Sequence, residues 1–245
     1  MAKIIGIVGG RAGDIRLLRK AMHVQSVRNT ASISFYRGTM GNRQIVLCQS
    51  GVGKVNAALA AQTLVDTFHV STILGTGIAG SLRSGIGIGN LVVATKSQQH
   101  DVNFTALGYP PGVIPGMKTS VFIATPAWVH KAYRSAHQLG FPVYKGKVLS
   151  GDEFVASPQA VAHLRRTFGG LCVDSIGAGA IGQVAYKNKI GYTVIRGISD
   201  KAGTTPSKNF SRNSRIASLK SQLVILTMLI PNYSSSYHTQ QVSGA

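Results

Sequence analysis

The chain has 245 residues, 44% of them hydrophobic, which is enough for one large α/β domain or two small ones around a substantial core. Its formal net charge of +19 arises mainly from a shortage of acids, because 26 Lys and Arg residues stand against only 7 Asp and Glu residues. The basic residues are scattered from Lys3 to Lys220 instead of forming an arm or a stripe, which argues against specific nucleic-acid binding and leaves only non-specific attraction of polyanions.

Strand-like and helix-like segments alternate along the chain, a pattern that favours an α/β fold. The predicted strands are, in chain order, 4–10, 32–38, 44–50, 71–77, 90–96, 143–151 and 191–199. The predicted helices are 14–22, 55–68, 125–139, 157–168, 179–189 and 208–230. We expect the second and third strands to form a hairpin, and Asp14 and Ser157 to cap their helices. No interior linker or repeat interrupts the pattern, which predicts one domain over residues 1–230 and a polar, disordered tail over residues 231–245.

The sequence also indicates a compartment. No apolar run approaches the length that spans a bilayer, and the N-terminal segment is interrupted by glycine too early for a signal peptide. Cys48 and Cys172 each lie in an apolar, strand-like run, which predicts buried free thiols and neither a disulfide nor a metal pair. We therefore expect a cytoplasmic protein with no membrane partner.

Three glycines, Gly75, Gly77 and Gly80, follow an apolar run with the G-x-G-x-x-G spacing of dinucleotide-binding loops. That role requires a helix to begin at the third glycine. The next ten residues, SLRSGIGIGN, contain three more glycines and would make a poor helix. We therefore expect these glycines to let the backbone approach a ligand closely where a strand ends.

Other familiar chemistries lack their residues. The segment CQSGVGKV resembles a phosphate loop but has Cys48 in place of its first glycine and Val55 in place of the Ser or Thr that holds magnesium. No G-x-S-x-G elbow occurs. His100 and Asp101 form the only adjacent His–acid pair, and without an H-E-x-x-H motif or a cysteine cluster we predict no metal site. His100 is expected to be structural or to line a ligand pocket.

Six segments, taken together and in order, carry a family resemblance. They are GIVGG at 6–10, SGVGKVNAALAA at 50–61, TGIAGSL at 76–82, HDVNFTALGYPPGVIPG at 100–116, SGDEF at 150–154 and IRGISDKAG at 195–203. This set resembles the 5′-methylthioadenosine/S-adenosylhomocysteine nucleosidases of the purine nucleoside phosphorylase superfamily. The resemblance implies a single α/β domain with a mixed, twisted central sheet flanked by helices, no cofactor, and a homodimer. It also implies hydrolysis of the N-glycosidic bond to give adenine and a thioribose product.

Hydrolysis at a ribosyl carbon needs a proton for the departing adenine, a positioned water, and polar groups that hold the sugar as positive charge develops on it. By the resemblance, Asp200 donates the proton to purine N7, and Asp14 stands where a carboxylate activates water. Phe154 would stack on adenine, and Val155 would offer backbone contacts to the purine edge. The other implied substrate contacts are Val52, Ile78, Ala79, Gly80, Ile176, Gly177 and Ser199. The partner subunit would close the pocket over the 5′ substituent with Phe104, Leu107 and Pro115.

Simpler roles stay open for several of these residues. Asp200 could cap a turn, Asp14 could cap a helix, Phe154 could be a core residue, and the three partner-facing residues could pack their own loop.

Two segments depart from the family's pattern. The family begins its first helix with a methionine and a run of glutamates, of which the last activates water, whereas this chain reads Arg11-Ala12-Gly13-Asp14. The family's E-M-E segment falls, without gaps, on Ser175-Ile176-Gly177, so that a glycine replaces the glutamate that would hold the ribose 2′ and 3′ hydroxyls. Two alternatives therefore stay open: a non-catalytic purine-nucleoside-binding or storage-like relative, and a phosphorylase in which Arg11 helps to bind phosphate.

Overall fold

The computed structural model describes residues 3–203, 208–235 and 237. Its strands are β1 (Ile5–Gly9), β2 (His23–Thr30), β3 (Ile33–Met40), β4 (Arg43–Gln49), β5 (Thr72–Ser81), β6 (Leu91–Gln99), β7 (Val121–Ile123), β8 (Val143–Ser150), β9 (Cys172–Asp174) and β10 (Gly191–Lys201). Its α-helices are α1 (Ala12–Ala21), α2 (Lys54–Phe68), α3 (Pro126–Gln138), α4 (Pro158–Phe168), α5 (Ala178–Lys187) and α6 (Phe210–Leu229). A short 3-10 helix spans Thr105–Leu107.

All the strands described belong to one mixed sheet, in the order β10-β6-β8-β9-β5-β1-β4-β3-β2, with β7 beside β6. Because β10 also pairs with β5, strands β5, β10, β6, β8 and β9 form a closed ring at one end of the sheet. The pairs β1–β4, β1–β5, β5–β10 and β6–β8 are parallel, whereas β2–β3, β3–β4 and β6–β10 are antiparallel. Helices pack on this sheet, with α6 against β10 and β5 and with α5 against β6 and α2. The predicted fold class is therefore confirmed.

Local signals explain the elements that were predicted correctly. The β3–β4 hairpin forms as expected, and the Ser157 hydroxyl accepts the Ala160 N–H at 3.1 Å to cap α4. Strand β2 was missed because nearly all of its residues are exposed, so the sequence carries no alternation of apolar and polar residues. Strands β7 and β9 are only three residues long and are defined by their neighbours.

Strand β5 differs from expectation in a way that matters for the site. The predicted strand ended at Gly77, but the observed strand continues to Ser81, with Gly77 opposite Arg196 and Gly80 opposite Asp200 of β10. The glycines therefore lie inside a paired strand. Gly77 has φ +147°, and a Cβ there would come 2.7 Å from Ile176 Cδ1. The glycine thus allows the close approach of the Ile176 side chain. The expected strand end at Gly77 is wrong, and the approach of these glycines to a ligand stays a prediction.

Both cysteines are fully buried free thiols, and burial raises the pKa of each well above its ordinary value. Among the residues that the structure describes, none of the helices is long and apolar enough to cross a membrane.

The domain boundary at residue 230 and the disordered tail stay predictions. Tyr233 and Tyr237 of that tail pack against the core, and residues 236 and 238–245 lie outside the described part.

Candidate active site

A cavity of about 190 Å³ lies where β5, β9 and β10 end. Nine of the residues implied by the resemblance line it: Val52, Ile78, Ala79, Gly80, Phe154, Val155, Ile176, Ser199 and Asp200. These residues come from five separate segments of the chain. The other lining residues are Arg11, Glu153, Val173, Asp174, Ser175, Ala202 and Phe210.

Asp200 lies one residue before the end of β10, beyond a register shift in its pairing with β5. Burial raises the pKa of its carboxyl, although the hydrogen bond that Ser199 Oγ donates to Asp200 Oδ1 works in the opposite direction. A raised pKa keeps a larger fraction of the carboxyl protonated near neutrality, as a general acid requires. The side chain faces the cavity and is held by its own neighbour, so it is placed to serve a ligand.

Phe154 provides an aromatic face at the same cavity. Its side chain is 47% exposed and its ring meets the Phe210 ring edge to face, with the centroids 5.9 Å apart. A half-exposed ring is not a core residue, so the core-packing alternative does not hold for Phe154. Val155 beside it is buried, and its carbonyl accepts the Gly203 N–H at 2.8 Å.

A buried ion pair that the sequence reasoning missed lies on the other side of the cavity. Arg196 Nε donates to Asp174 Oδ2 at 2.6 Å, and both side chains are fully buried. Asp174 Oδ1 accepts from Ser150 Oγ at 2.9 Å and from the Gly177 N–H at 2.9 Å, at the start of α5. The one available signal was a charged residue in each of two apolar strand runs, LCVDS and GYTVIRGIS, because a charge in a buried strand needs a partner.

The Arg196 guanidinium keeps donors to spare. Its Nη1 and Nη2 are buried and have no hydrogen-bond partner among the residues that the structure describes. A Cβ built on Gly77 would lie 3.5 Å from Arg196 Nη1 and 3.5 Å from Asp14 Oδ2, so both groups lie close to that glycine. Buried donors of this kind are costly unless a ligand or water satisfies them. Arg196 itself does not line the cavity, so these donors lie beyond its lining residues.

Asp14 is the third residue of α1 and takes part in the hydrogen bonds that cap this helix. It is fully buried, and its carboxylate accepts the Arg11 N–H at 3.0 Å as a residue in the first turn of α1. The same carboxylate is held in two places by the Arg11 guanidinium, from Nη2 at 2.8 Å and from Nε at 3.1 Å. Asp14 does not itself line the cavity, whereas Arg11 does. The helix-cap role is thus present, and the predicted role in activating water stays a prediction.

Gly177 is placed differently from what the gapless alignment implied. It precedes α5 with φ +103°, is absent from the cavity lining, and a Cβ there would come 2.5 Å from the Ala57 Cβ. The position therefore requires glycine for backbone and packing reasons. The carboxylate on this side of the cavity belongs to Asp174, three residues earlier, which reaches it from the end of β9.

The three residues assigned to the partner subunit do not line this cavity. Phe104 is 42% exposed and Leu107 is 72% exposed, and Pro115 is partly buried on the same long loop. They leave an apolar loop surface uncovered within one chain, and their role over a second chain's pocket stays a prediction.

Loops around the cavity are joined by a polar cluster. Lys54 Nζ contacts Asp101 Oδ1 at 2.7 Å, the Lys54 N–H donates to Asp152 Oδ1 at 2.7 Å, and the Asp152 N–H donates to Asp101 Oδ2 at 2.9 Å. His100 is buried beside this cluster and does not line the cavity, and burial lowers its pKa. Among the described residues, no group of three or more His, Cys, Asp or Glu side chains is arranged to hold a metal ion.

Comparison with known proteins agrees with this geometry. Residues 4–230 match the profile of the Phosphorylase superfamily. The chain is 32% identical over 226 residues to the 5′-methylthioadenosine/S-adenosylhomocysteine nucleosidase of Tolumonas auensis, covering 92% of this chain and 98% of that protein. It is 33% identical to the nucleosidase of Halalkalibacterium halodurans, covering 92% of this chain and 97% of the other.

A solved structure shows the same likeness in three dimensions. The nucleosidase of Neisseria meningitidis, in complex with methylthio-immucillin-A, superposes with a TM-score of 0.88 at 31% identity, covering 92% of this chain and 98% of that one. Sequence and fold thus agree over the whole domain. The chain belongs to the 5′-methylthioadenosine/S-adenosylhomocysteine nucleosidase family of the phosphorylase superfamily.

Proposed function

We propose that this chain hydrolyses the N-glycosidic bond of 5′-methylthioadenosine or S-adenosylhomocysteine, giving adenine and a thioribose product. The observation that carries the proposal is Asp200, a carboxyl whose pKa is raised by burial, in one cavity with the half-exposed ring of Phe154. The ring offers a stacking face for the purine. The protonated carboxyl offers the proton that the departing adenine needs.

The groups on the sugar side suit a reaction in which water is the nucleophile. Asp174 lines the cavity, and an oxocarbenium-like transition state on a sugar bound there is stabilised by nearby negative charge. Water attacks the anomeric carbon as the bond to adenine breaks, the electron pair leaves with the base, and Asp200 supplies the proton to its N7. The proton that the attacking water loses passes to a carboxylate, the role that the resemblance gives to Asp14.

A phosphorylase would need an uncompensated cation for its phosphate. Both guanidinium groups at this end of the cavity are already paired, Arg11 with Asp14 and Arg196 with Asp174. Each of these pairs is neutral overall, so neither supplies the net positive charge that would hold a phosphate dianion. The pairing of both arginines with aspartates therefore favours hydrolysis over phosphorolysis. The presence of Asp200 as a general acid favours an enzyme over a binding or storage protein.

One assay tests the proposal against both alternatives. Purified protein is incubated with 5′-methylthioadenosine with and without phosphate, and adenine is followed. We expect phosphate-independent release, and Asp200→Asn is expected to lower it at least about a hundredfold while adenine binding persists. A phosphate requirement would indicate a phosphorylase, and binding without release would indicate a binding protein.

The pH dependence gives the same assay a second readout. Asp200 must be protonated to act, and because its pKa is raised, the active fraction persists above the ordinary range of an aspartate and falls as the pH rises further. The parent should therefore lose kcat on the alkaline side of this pKa. The residual activity of Asp200→Asn should not show this alkaline fall in kcat. The same alkaline fall in both proteins would mean that Asp200 is not the general acid.

We further propose a homodimer in which Phe104, Leu107 and Pro115 of each chain cover the partner's cavity. The exposure of Phe104 and Leu107 within one chain supports this, because exposed apolar side chains on one loop are typical of contact surfaces. We also propose a reducing, cytoplasmic location, which the two buried free thiols support.

A further inference from the structure

The loop that carries the Phe154 ring has few main-chain contacts of its own. Residues 151–157 connect β8 to α4 and form neither helix nor strand. The Gly151 N–H donates to a carbonyl of β9 at 3.2 Å, and the Val155 carbonyl accepts an N–H just beyond the end of β10 at 2.8 Å. Between these two points, the Asp152 N–H is the one main-chain group that is hydrogen-bonded to another described residue. The position of the ring therefore depends on what holds Asp152.

Two residues of the polar cluster beside the cavity hold Asp152 from both sides. The Asp152 N–H donates to Asp101 Oδ2 at 2.9 Å, and Asp152 Oδ1 accepts the Lys54 N–H at 2.7 Å. Lys54 Nζ in turn contacts Asp101 Oδ1 at 2.7 Å. These three residues therefore form a closed ring of charge-assisted hydrogen bonds, which are stronger than bonds between neutral groups.

Both residues that hold Asp152 are themselves fixed to the rest of the domain. Lys54 is the first residue of α2, and the N–H of the glycine before it donates to the Ser175 carbonyl at 2.8 Å. Asp101 follows β6, and the N–H of the histidine before it donates to the carbonyl of the last residue of β8 at 2.9 Å. The loop is thus tied to two positions that regular structure already determines.

The ionic hold on this loop comes from Lys54 and Asp101. Burial raises the pKa of the Asp101 carboxyl, but the hydrogen bonds from Lys54 and from the Asp152 N–H bring that pKa below its ordinary value. The contact of His100 Nδ1 with Glu153 Oε1, at 3.7 Å, is not an equivalent tie. Burial lowers the pKa of His100, so that its ring is mostly neutral near pH 7.

We propose that Lys54 and Asp101 are positioning residues for purine binding, which act through Asp152 to hold the Phe154 ring where it can stack on the base. The proposal rests on the proposed nucleosidase function, which places the purine against that ring. Phe154 is two residues from Asp152 and is 47% exposed beside Phe210, so its own packing leaves about half of it uncovered. Neither Lys54 nor Asp101 lines the cavity, which distinguishes their role from direct contact with the substrate.

Binding and turnover together test this role. Asp101→Ala removes both acceptor oxygens from the cluster, and we expect it to raise the KM for 5′-methylthioadenosine and the dissociation constant of adenine by about tenfold. The kcat should change by less than about threefold, because the general acid Asp200 lies on β10 and is held by Ser199, outside the cluster. A loss of folded protein would lower the active fraction without this separation of KM from kcat.

Side-chain variants of Lys54 give a second comparison, which also serves if Asp101→Ala does not fold. Lys54→Met should weaken adenine binding in the same direction, and Lys54→Arg, which keeps the cation, should retain most of the affinity of the parent. The matched control is Asp66→Ala, which removes a carboxylate that accepts a hydrogen bond from Gln62 of the same helix. This control should change neither KM nor adenine affinity.

A double-mutant cycle tests whether the cluster acts through the aromatic ring. In a Phe154→Leu background, Asp101→Ala should raise the dissociation constant of adenine by less than about twofold, because the ring that the cluster positions is already absent. A general disturbance of the cavity would instead weaken binding by the same factor in both backgrounds.

The outcomes distinguish this role from the proposed function. If the parent binds adenine but releases none from 5′-methylthioadenosine, the proposed function fails, and the adenine affinities of the variants still decide the role of the cluster. A parent that neither binds adenine nor releases it overturns both proposals. An unchanged adenine affinity in Asp101→Ala and Lys54→Met, an equal loss in both backgrounds of the cycle, or an equal loss in Asp66→Ala overturns the positioning role alone.

Discussion

At the scale of single residues, the ion pair of Asp174 and Arg196 brings a carboxylate to the cavity from a position that the family pattern did not indicate. The glutamate expected from the family pattern is absent, since glycine occupies its aligned position, yet the Asp174 carboxylate lines the cavity. It comes from the end of β9 and is held by Ser150, the first turn of α5 and Arg196. A carboxylate can therefore reach this cavity from a sequence position other than the one that the family pattern indicates.

This pair predicts a non-additive effect on stability. Asp174→Asn leaves a buried guanidinium without its counter-charge and should lower the free energy of unfolding by about 3–5 kcal/mol. Arg196→Gln should cost a similar amount, because it leaves the carboxylate unpaired. The double variant should cost clearly less than the sum, since no buried charge is then left alone. Urea unfolding of the four proteins measures this, and costs that add to within about 0.5 kcal/mol would mean that the two groups are not coupled.

At the scale of elements, the junction between β9 and α5 decides whether the missing glutamate could be restored. Gly177 adopts a left-handed backbone conformation, and its surroundings leave no room for a Cβ beside Ala57 of α2. The sequence alone suggested a lost ligand that a substitution could return. The structure shows a glycine that lets α5 start close to α2.

We therefore expect Gly177→Glu to fail as a restoration. It should destabilise the domain by a few kcal/mol and lower nucleoside affinity, because the backbone must leave φ +103° and the side chain has no path into the cavity. Gly177→Ala is the matched variant, since it tests the same strain without adding charge and should lose a comparable amount of stability in thermal unfolding. A Gly177→Glu protein that is as stable as the parent and binds 5′-methylthioadenosine more tightly would contradict this account.

The elements also show what the sequence could predict. Hydrophobic periodicity and capping residues were sufficient to predict the long helices and the buried strands, because each of these elements carries a signal in its own sequence. The cap of α4 by Ser157 is one example. Strands β2, β7 and β9 form by pairing with other segments, so no local sequence pattern predicted them. The ion pair of Asp174 and Arg196 could not be predicted for the same reason. The two residues are 22 positions apart in the sequence, and they meet because β9 and β10 both pair with β5.

At the scale of the whole molecule, the shortage of acids has a spatial pattern. Asp174, Asp200 and Glu153 line the cavity, and Asp14 is bound to its lining residue Arg11. Asp101 and Asp152 join the loops beside it. Six of the seven acids are thus at the cavity or next to it, and only Asp66 on α2 is elsewhere. The remaining surface is almost entirely basic or neutral, which predicts salt-sensitive, sequence-independent attraction to polyanions without a specific nucleic-acid site.

The long loop that carries Phe104, Leu107 and Pro115 gives the last prediction, because the cavity lining within one chain includes none of the three. If the loop covers a partner's cavity, the complete site exists only in the dimer. Leu107→Glu, at a side chain that is 72% exposed, should then lower kcat/KM for 5′-methylthioadenosine and weaken the dimer in sedimentation, with little change in the thermal stability of the single chain. Ile88→Glu is the matched control, since Ile88 is 48% exposed on a different loop and should change neither activity nor assembly. Specific activity of the parent should also fall on dilution below the dimer dissociation constant, because a cavity that has lost its cover exposes the 5′ substituent to water. A monomer with full activity at every concentration, or a Leu107→Glu protein that matches the Ile88→Glu control, would show that each chain forms its site alone.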